Sequence, residues 1–313
     1  MAVEATTTCK RVVGPVVAAA LMVGVVGVTA APARAAQASG PADYASQAQK
    51  AAGYIDSHQA DLVKGGLGPQ LDGALALVAA GRKGSPTLTK VKDNIKAHGR
   101  TYCTKANVGG CAKVTITLLA LGESTTYGGF DYANQVTSAS QFNEYATNQA
   151  LDMIAFERLG KPIPKVLFDK VTEYATTAPK WDDPDTDGLT LTALSHVKAT
   201  SEQQGKITAA KAALVKRLDA ARQNDGWGFK GKGPNVNTTA WVAPGLYRAG
   251  DAGHKAQAVS GQTWLAKQQK DDGSFPASYS PMMATTQAVP ALRGLQSYDN
   301  VGANQAKTVE IQR

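Results

Sequence analysis

The chain has 313 residues, of which 33 are basic and 25 acidic, and 43% belong to the hydrophobic set. That is long and apolar enough to bury a sizeable core, and the 31 Gly and 14 Pro are too dispersed for a collagen-like or low-complexity chain. The excess of positive charge is spread along the sequence without a basic run or basic–aromatic interleaving, which argues against nucleic acid as a partner.

Lys10 and Arg11 precede an uncharged run from Val12 to Ala31, and Ala33-Arg34-Ala35 places small residues at the two positions that a signal peptidase reads. A basic start, an apolar middle and this ending predict a secretory signal over residues 1–35, followed by a short disordered stretch over 36–43. Cleavage would leave a mature chain of about +6. No second apolar run follows, so the expected location is extracellular, with no stable membrane insertion once the signal is removed. Cys9 would leave with the signal. Cys103 and Cys111, eight positions apart around a Gly-containing segment of an exported chain, are expected to form one local disulfide.

Along the rest of the chain six segments share one pattern, a small or polar residue followed by an Ala/Leu-rich stretch: DGALALVA from Asp72, VTITLLAL from Val114, TNQALDMI from Thr147, DGLTLTAL from Asp187, TAWVAPGL from Thr239 and TTQAVPAL from Thr285. Such stretches suit helices buried on most sides. Between them run amphipathic stripes at helical spacing. They are Tyr44, Ala48, Ala51 and Ile55; Leu88, Val91 and Ile95; Leu167, Val171 and Tyr174 after Pro164; Ile207, Leu214, Val215 and Leu218; and, more loosely, Val259, Trp264 and Leu265. Gly-rich turns such as Gly128-Gly129-Phe130 and Gly226-Trp227-Gly228-Phe229 punctuate the pairs. The expected fold is all-α. Six outer/inner hairpins over residues 44–298 would close into a double ring, an α6/α6 toroid, with 299–313 as a C-terminal tail. Pro244 and Pro290 should distort their inner helices because each lacks an amide donor.

The segment from Trp264 to Phe275 (WLAKQQKDDGSF) resembles the Gln/Trp repeat of squalene–hopene cyclases, with Phe275 where Trp is usual, and Gln223–Phe229 is a looser copy. Asp185-Thr186-Asp187-Gly188 is similar to the D-x-D-D acid motif of those cyclases, with Gly188 in place of the last Asp. Gln287-Ala288-Val289-Pro290-Ala291-Leu292 resembles the A-Q-x-x-P-A-L helix of the cobalamin-binding transcobalamin and intrinsic-factor toroid, and Asp187 stands where that family opens an inner helix with Asp. These resemblances imply the prenyltransferase/squalene-cyclase-like toroid fold. They also imply two activities, corrinoid-like ligand binding or class II terpene cyclisation with Asp187 as general acid beside Asp185.

The acidic loop from Asp182 to Gly188 supports further readings. Asp183, Asp185 and Asp187 with Gly188 match the start of a D-x-D-x-D-G calcium loop, but Leu194 stands where a bidentate Glu is required. Asp187 is also expected to cap an inner helix while facing the central funnel. Asp72 and Asp187 occupy equivalent repeat positions and form the pair that a glycan hydrolase would need. The four histidines show no metal spacing, no hydrolase or phosphate-binding motif is present, and no cofactor is expected. Binding is the leading expectation. The starts of the inner helices would present Asp72, Asn148, Asp187, Asn237, Thr239, Thr285 and Gln287 as a polar ring. Trp227, Phe229, Trp241 and Tyr279 would offer flat contacts at its rim, for a small molecule such as a corrinoid, a glycan or a peptide.

Overall fold

The computed structural model describes residues 40–177, 182–277 and 279–312, and the signal-peptide expectation falls on residues outside these. The described residues all fall within one compact unit. Among the described residues the structure is all-α: thirteen α-helices, one 3-10 turn at Leu194–His196, and strands of only two residues each. No described helix is long and apolar enough to cross a membrane.

Helices alternate between amphipathic and almost wholly buried. In chain order, α1 (Ala45–Ser57) and α2 (Gln59–Lys64) precede α3 (Leu67–Ala79); α4 (Pro86–Tyr102) precedes α5 (Val108–Leu121); and the short α6 (Tyr132–Thr137) precedes α7 (Ala146–Leu159). The second half repeats this order: α8 (Lys165–Thr176) before α9 (Pro184–Ala193), α10 (Ser201–Ala221) before α11 (Val236–Ala249), and α12 (Ala252–Lys267) before α13 (Pro281–Leu292). α1 buries Ala48, Ala51, Ala52 and Ile55, and α4 buries Leu88, Val91 and Ile95, the stripes that helical spacing predicts. α3 and α5 are buried nearly all round, as their unbroken Ala/Leu/Val character requires. The expected stripe on α12 shifts: Ala258, Gly261, Gln262 and Leu265 are buried, while Val259 and Trp264 are only half-buried. α11 and α13 continue through Pro244 and Pro290.

The buried helices pack on one another in succession, α3 on α5, α5 on α7, α7 on α9, α9 on α11 and α11 on α13, and α13 packs on α3. Side-chain pairs show neighbours running side by side. Asp72 meets Lys113 between α3 and α5, and the Thr147 and Thr186 hydroxyls lie 2.6 Å apart between α7 and α9. The join between last and first is a clasp. Tyr44 N–H donates to Leu292 O (3.0 Å), Gly294 N–H donates to Ala42 O (3.3 Å), and Arg293 pairs with Asp43. Fully buried Gln262 bridges the same strands of chain, accepting from Ala42 N–H (2.9 Å) and donating to the carbonyls of Ala42 and Ala291 (2.8 Å each). Residues 42 and 43, expected to be disordered, are therefore tied into the fold. An amide that serves both sides leaves no orphaned buried group at the seam.

The tail is also part of the fold. After α13 it crosses the C-terminal ends of the buried helices: Ala303 N–H donates to Ala120 O (3.0 Å) and Lys307 N–H to Glu157 O (3.0 Å). Strand β6 (Val309–Glu310) then lies parallel to β3 (Val197–Lys198). Arg158 anchors the crossing with its guanidinium on the carbonyls of Tyr298 (2.7 Å), Val301 (2.9 Å) and Ala303 (2.5 Å). Helix C-termini expose unpaired carbonyls, and here the tail amides satisfy two of them.

The closest helix crossing is between α9 and α11. A Cβ at Gly188 would lie 2.6 Å from Val242 Cα and 2.7 Å from Trp241 O, and a Cβ at Gly245 would lie 2.0 Å from Gly188 O. Both neighbours are backbone and cannot rotate aside. No side chain fits at Gly188 without moving α9 away from α11. Gly188→Ala is expected to destabilise the protein by about 3 kcal/mol or more through forced separation of α9 from α11. Chemical denaturation of the variant beside wild type measures this.

Candidate functional site

The buried helices begin earlier than the six aligned segments. α3 starts at Leu67, α9 at Pro184, α11 at Val236 and α13 at Pro281, so Asp72, Asp187, Thr239 and Thr285 sit inside the helices. Asp183, not Asp187, caps α9: its Oδ1 accepts from Thr186 N–H at 3.2 Å. Asn235 and Ser280 cap α11 and α13 in the same way.

This shift redirects most of the expected polar ring. Asp187 is buried and bound on both oxygens. Arg217 of α10 donates to Oδ2 from Nε (2.9 Å) and to Oδ1 from a terminal amine (2.7 Å), and the Tyr174 hydroxyl of α8 donates to Oδ1 (2.8 Å). Burial first, and then the Asp187 charge, push the Tyr174 phenol upward, so it remains a donor. Asp187 thus ties α9 to the outer helices α8 and α10. Both of its oxygens are engaged by these partners instead of opening onto a funnel.

Thr239 and Thr285 share a second structural device. Thr239 Oγ1 accepts from Trp227 N–H (3.0 Å), and Thr285 Oγ1 accepts from Phe275 N–H (3.0 Å). Each threonine holds the aromatic residue of the Gly-rich loop before its helix. Trp227 is consequently fully buried, with its indole N–H on Leu218 O (3.0 Å), and is core rather than rim. Asn148 is half-buried against Gly109, where any Cβ would lie 2.4 Å from its own.

Asp72, Trp241 and Gln287 do come together. They line a central depression with Leu75, Pro290 and Tyr298. Asp72 is bound there, with the Tyr298 hydroxyl on Oδ1 (2.6 Å) and Lys113 Nζ 2.8 Å from the same oxygen. Trp241 meets Tyr298 edge to face at 5.6 Å, and Asn237 donates to Gln287 Oε1 at 2.7 Å. The depression holds only about 30 Å³, space for a water or two. Tyr298 forms part of its wall, in contact with both Asp72 and Trp241. Asp72 and Asp187 each have their own cationic partner, on α5 and α10 respectively, and do not form a cleft pair.

The acidic loop likewise does not converge. Asp183 is a cap, Asp187 is paired with Arg217, and Asp182 accepts from Lys230 N–H at 2.8 Å. Among the described residues no three His, Cys, Asp or Glu side chains gather to hold a metal ion, so the D-x-D-x-D-G spacing serves helix capping and packing instead. Asp185 differs from its neighbours. Burial raises its carboxyl to about 6, opposed by a Thr238 hydrogen bond and reinforced by the Asp183 charge. Cys103 and Cys111 are joined as a disulfide, with Cα atoms 4.4 Å apart.

Of the four aromatics expected at the rim, Phe229 and Tyr279 are exposed, while Trp227 is buried and Trp241 half-buried. The large exposed apolar side chains among the described residues are Tyr145, Val166, Phe229 and Tyr279. Three of these precede buried helices: Tyr145 immediately before α7, Phe229 in the loop before α11, and Tyr279 in the loop before α13. Tyr145 is 73% exposed and Tyr279 is 92% exposed, and both lie at the end where the buried helices begin. Tyr145 escaped the repeat alignment because it lies outside the Ala/Leu segments. No family model matches the chain, and no curated protein matches it in sequence.

Sequence reasoning also missed the buried charges. α7 carries Asp152 and Glu157, both fully buried with neither side-chain oxygen hydrogen-bonded. Burial raises both carboxyls well above the usual range; for Glu157 the Asp299 charge adds to this and Lys211 opposes it. Asp299 has the reverse balance. Burial pushes it up, but Arg248 and His196 outweigh this and hold it below the usual range, with Arg248 Nε at 2.6 Å and His196 Nε2 at 2.9 Å. The visible signal was a charged residue inside an otherwise apolar helix.

Two measurements follow from these groups. Asp187→Asn leaves Arg217 without its counter-charge and is expected to cost about 2–4 kcal/mol of stability in thermal or urea unfolding. The Asp152 carboxyl has a raised pKa in the folded state, so its neutral form is favoured by folding. The stability it allows is present below about pH 4 and is lost as pH rises toward the folded value. Asp152→Asn should therefore raise the melting temperature at pH 8 and change it little at pH 4. Equal shifts at both pH values would contradict this assignment.

Proposed function

We propose that residues 44–298 form a closed α6/α6 toroid and that the protein is an exported glycan-binding protein. The toroid reading is supported by the packing of each buried helix on the next and of α13 on α3. Export is supported by the basic, apolar and A-x-A order of residues 1–35 and by the disulfide between Cys103 and Cys111.

The observation that carries the ligand class is the position of Tyr145, Phe229 and Tyr279, solvent-exposed in three loops that lead into buried helices. Aromatic rings at one end of the fold offer flat apolar faces against which the C–H faces of a sugar stack, while leaving its hydroxyls to nearby amides. The inner depression is too small for a corrinoid or a polyene, so the ligand lies across the face instead of entering a funnel. Asp72 and Asp187, the carboxylates expected to serve acid chemistry, are committed to internal partners, which favours recognition by stacking and neutral hydrogen bonds. A binding role needs no cofactor.

A second reading has its own support. Gln287 and Pro290, which carry the resemblance to the cobalamin-binding toroid, both line the central depression. A corrinoid would sit over the depression, with a second protein or domain covering its other side.

Binding to a panel of soluble and insoluble glycans, with cobalamin as the rival ligand, tests the two readings. Tyr145→Ala and Tyr279→Ala are each expected to weaken glycan binding by about 1 kcal/mol, roughly fivefold, without changing thermal stability. Saturable cobalamin binding with no glycan binding would replace the first reading with the second.

A further inference from the structure

At the end of the fold where the buried helices begin, an open cleft of about 300 Å³ lies between the disulfide loop before α5 and the segment joining α6 to α7. Its polar lining includes Thr104, Lys105, Gln135, Ser140 and Gln141, over a floor of buried Val108. No carboxylate lines it. None of these five side chains has a partner among the described residues. The volume is at the lower edge of the range for small-ligand sites.

We infer that this cleft is a subsite for one sugar residue bearing an anionic substituent, with Lys105 as its counter-charge. The inference rests on the glycan reading and specifies it further. Two amides and two hydroxyls supply donors and acceptors in the mixture that sugar hydroxyls require, and a single cation without a neighbouring carboxylate selects an acid. The Cys103–Cys111 disulfide closes the loop that carries Thr104 and Lys105, so one wall of the cleft is restrained before any ligand arrives. Tyr145 follows Gln141 by four residues and is exposed, which places a stacking face next to the cleft along the chain. An extended glycan would set one acidic unit in the cleft and lay the next against Tyr145.

The test compares tetragalacturonate, its methyl ester and a sulfated galactan tetrasaccharide by isothermal titration calorimetry. Wild type, Lys105→Gln, Gln141→Ala and Tyr279→Ala are each titrated. Wild type should prefer one or both acidic probes over the ester, and the preference should fall at high salt. Which of the two acids binds more tightly identifies the anion. Lys105→Gln should lower affinity for the acidic probe about five- to tenfold and leave the ester unchanged. Gln141→Ala should weaken acid and ester alike, and Tyr279→Ala should do the same from outside the cleft. Thermal melts check that these exposed substitutions leave folding intact. Binding of acid and ester with equal affinity, or an acid preference that survives Lys105→Gln, overturns the subsite while the glycan reading stands. Absence of binding to any probe here and to the wider glycan panel overturns both.

Discussion

A succession of buried helices that returns to its start depends on one join, where the last helix meets the first. α13 packs on α3, and the chain entering α1 is bonded to the chain leaving α13 through Tyr44, Leu292, Ala42 and Gly294. Every other buried helix has sequence neighbours to cover its two sides, whereas α3 and α13 must find each other across more than two hundred residues. Their exposed Ala/Leu faces would otherwise meet water. Gln262 secures the seam because its amide both donates and accepts, replacing the regular hydrogen bonds that separate chain ends cannot make. Because this closure is made at long range, it forms against a larger chain-entropy cost than the hairpins themselves.

The paired carboxylates inside the fold connect different elements. Asp187 connects α9 to α8 and α10, Asp72 connects α3 to α5 and the tail, and Asp299 connects the tail to Arg248 and His196. These pairs fix which helix faces which neighbour, since an Ala/Leu interface alone tolerates rotation and sliding. Asp152 and Glu157 are the exceptions, buried without hydrogen-bond partners, and desolvation raises both carboxyls well above the usual range. With the interior committed in this way, uncommitted chemistry remains in the loops before the buried helices, where exposed aromatics and the Lys105 cleft lie.

The helical class, the buried and amphipathic alternation and the disulfide were legible in the sequence because each is a local property. Helical spacing places Ala48, Ala51 and Ile55 on one face whatever they pack against, and an eight-residue separation lets two cysteines meet within a single loop. The departure of Gly188 from the acid motif was legible too, although the packing around it was not. Only the crossing of α9 over α11 shows that backbone occupies the space a side chain would need.

Side-chain direction and the course of the tail were decided by tertiary structure. Aligning repeats on their Ala/Leu segments locates the helices but not their caps, so Asp187 was placed at a helix start when Asp183 holds that position. A shift of three or four residues is about one turn, enough to move a side chain from the exposed start of a helix to a buried contact with its neighbours. The last residues lack helical periodicity and therefore read as a free tail. Their amides bind carbonyls at the ends of α5 and α7, and Tyr298, just before them, lines the depression beside Asp72. That pairing exists only after the helices have assembled, because the partners come from separate parts of the chain. No local pattern in the sequence encodes it.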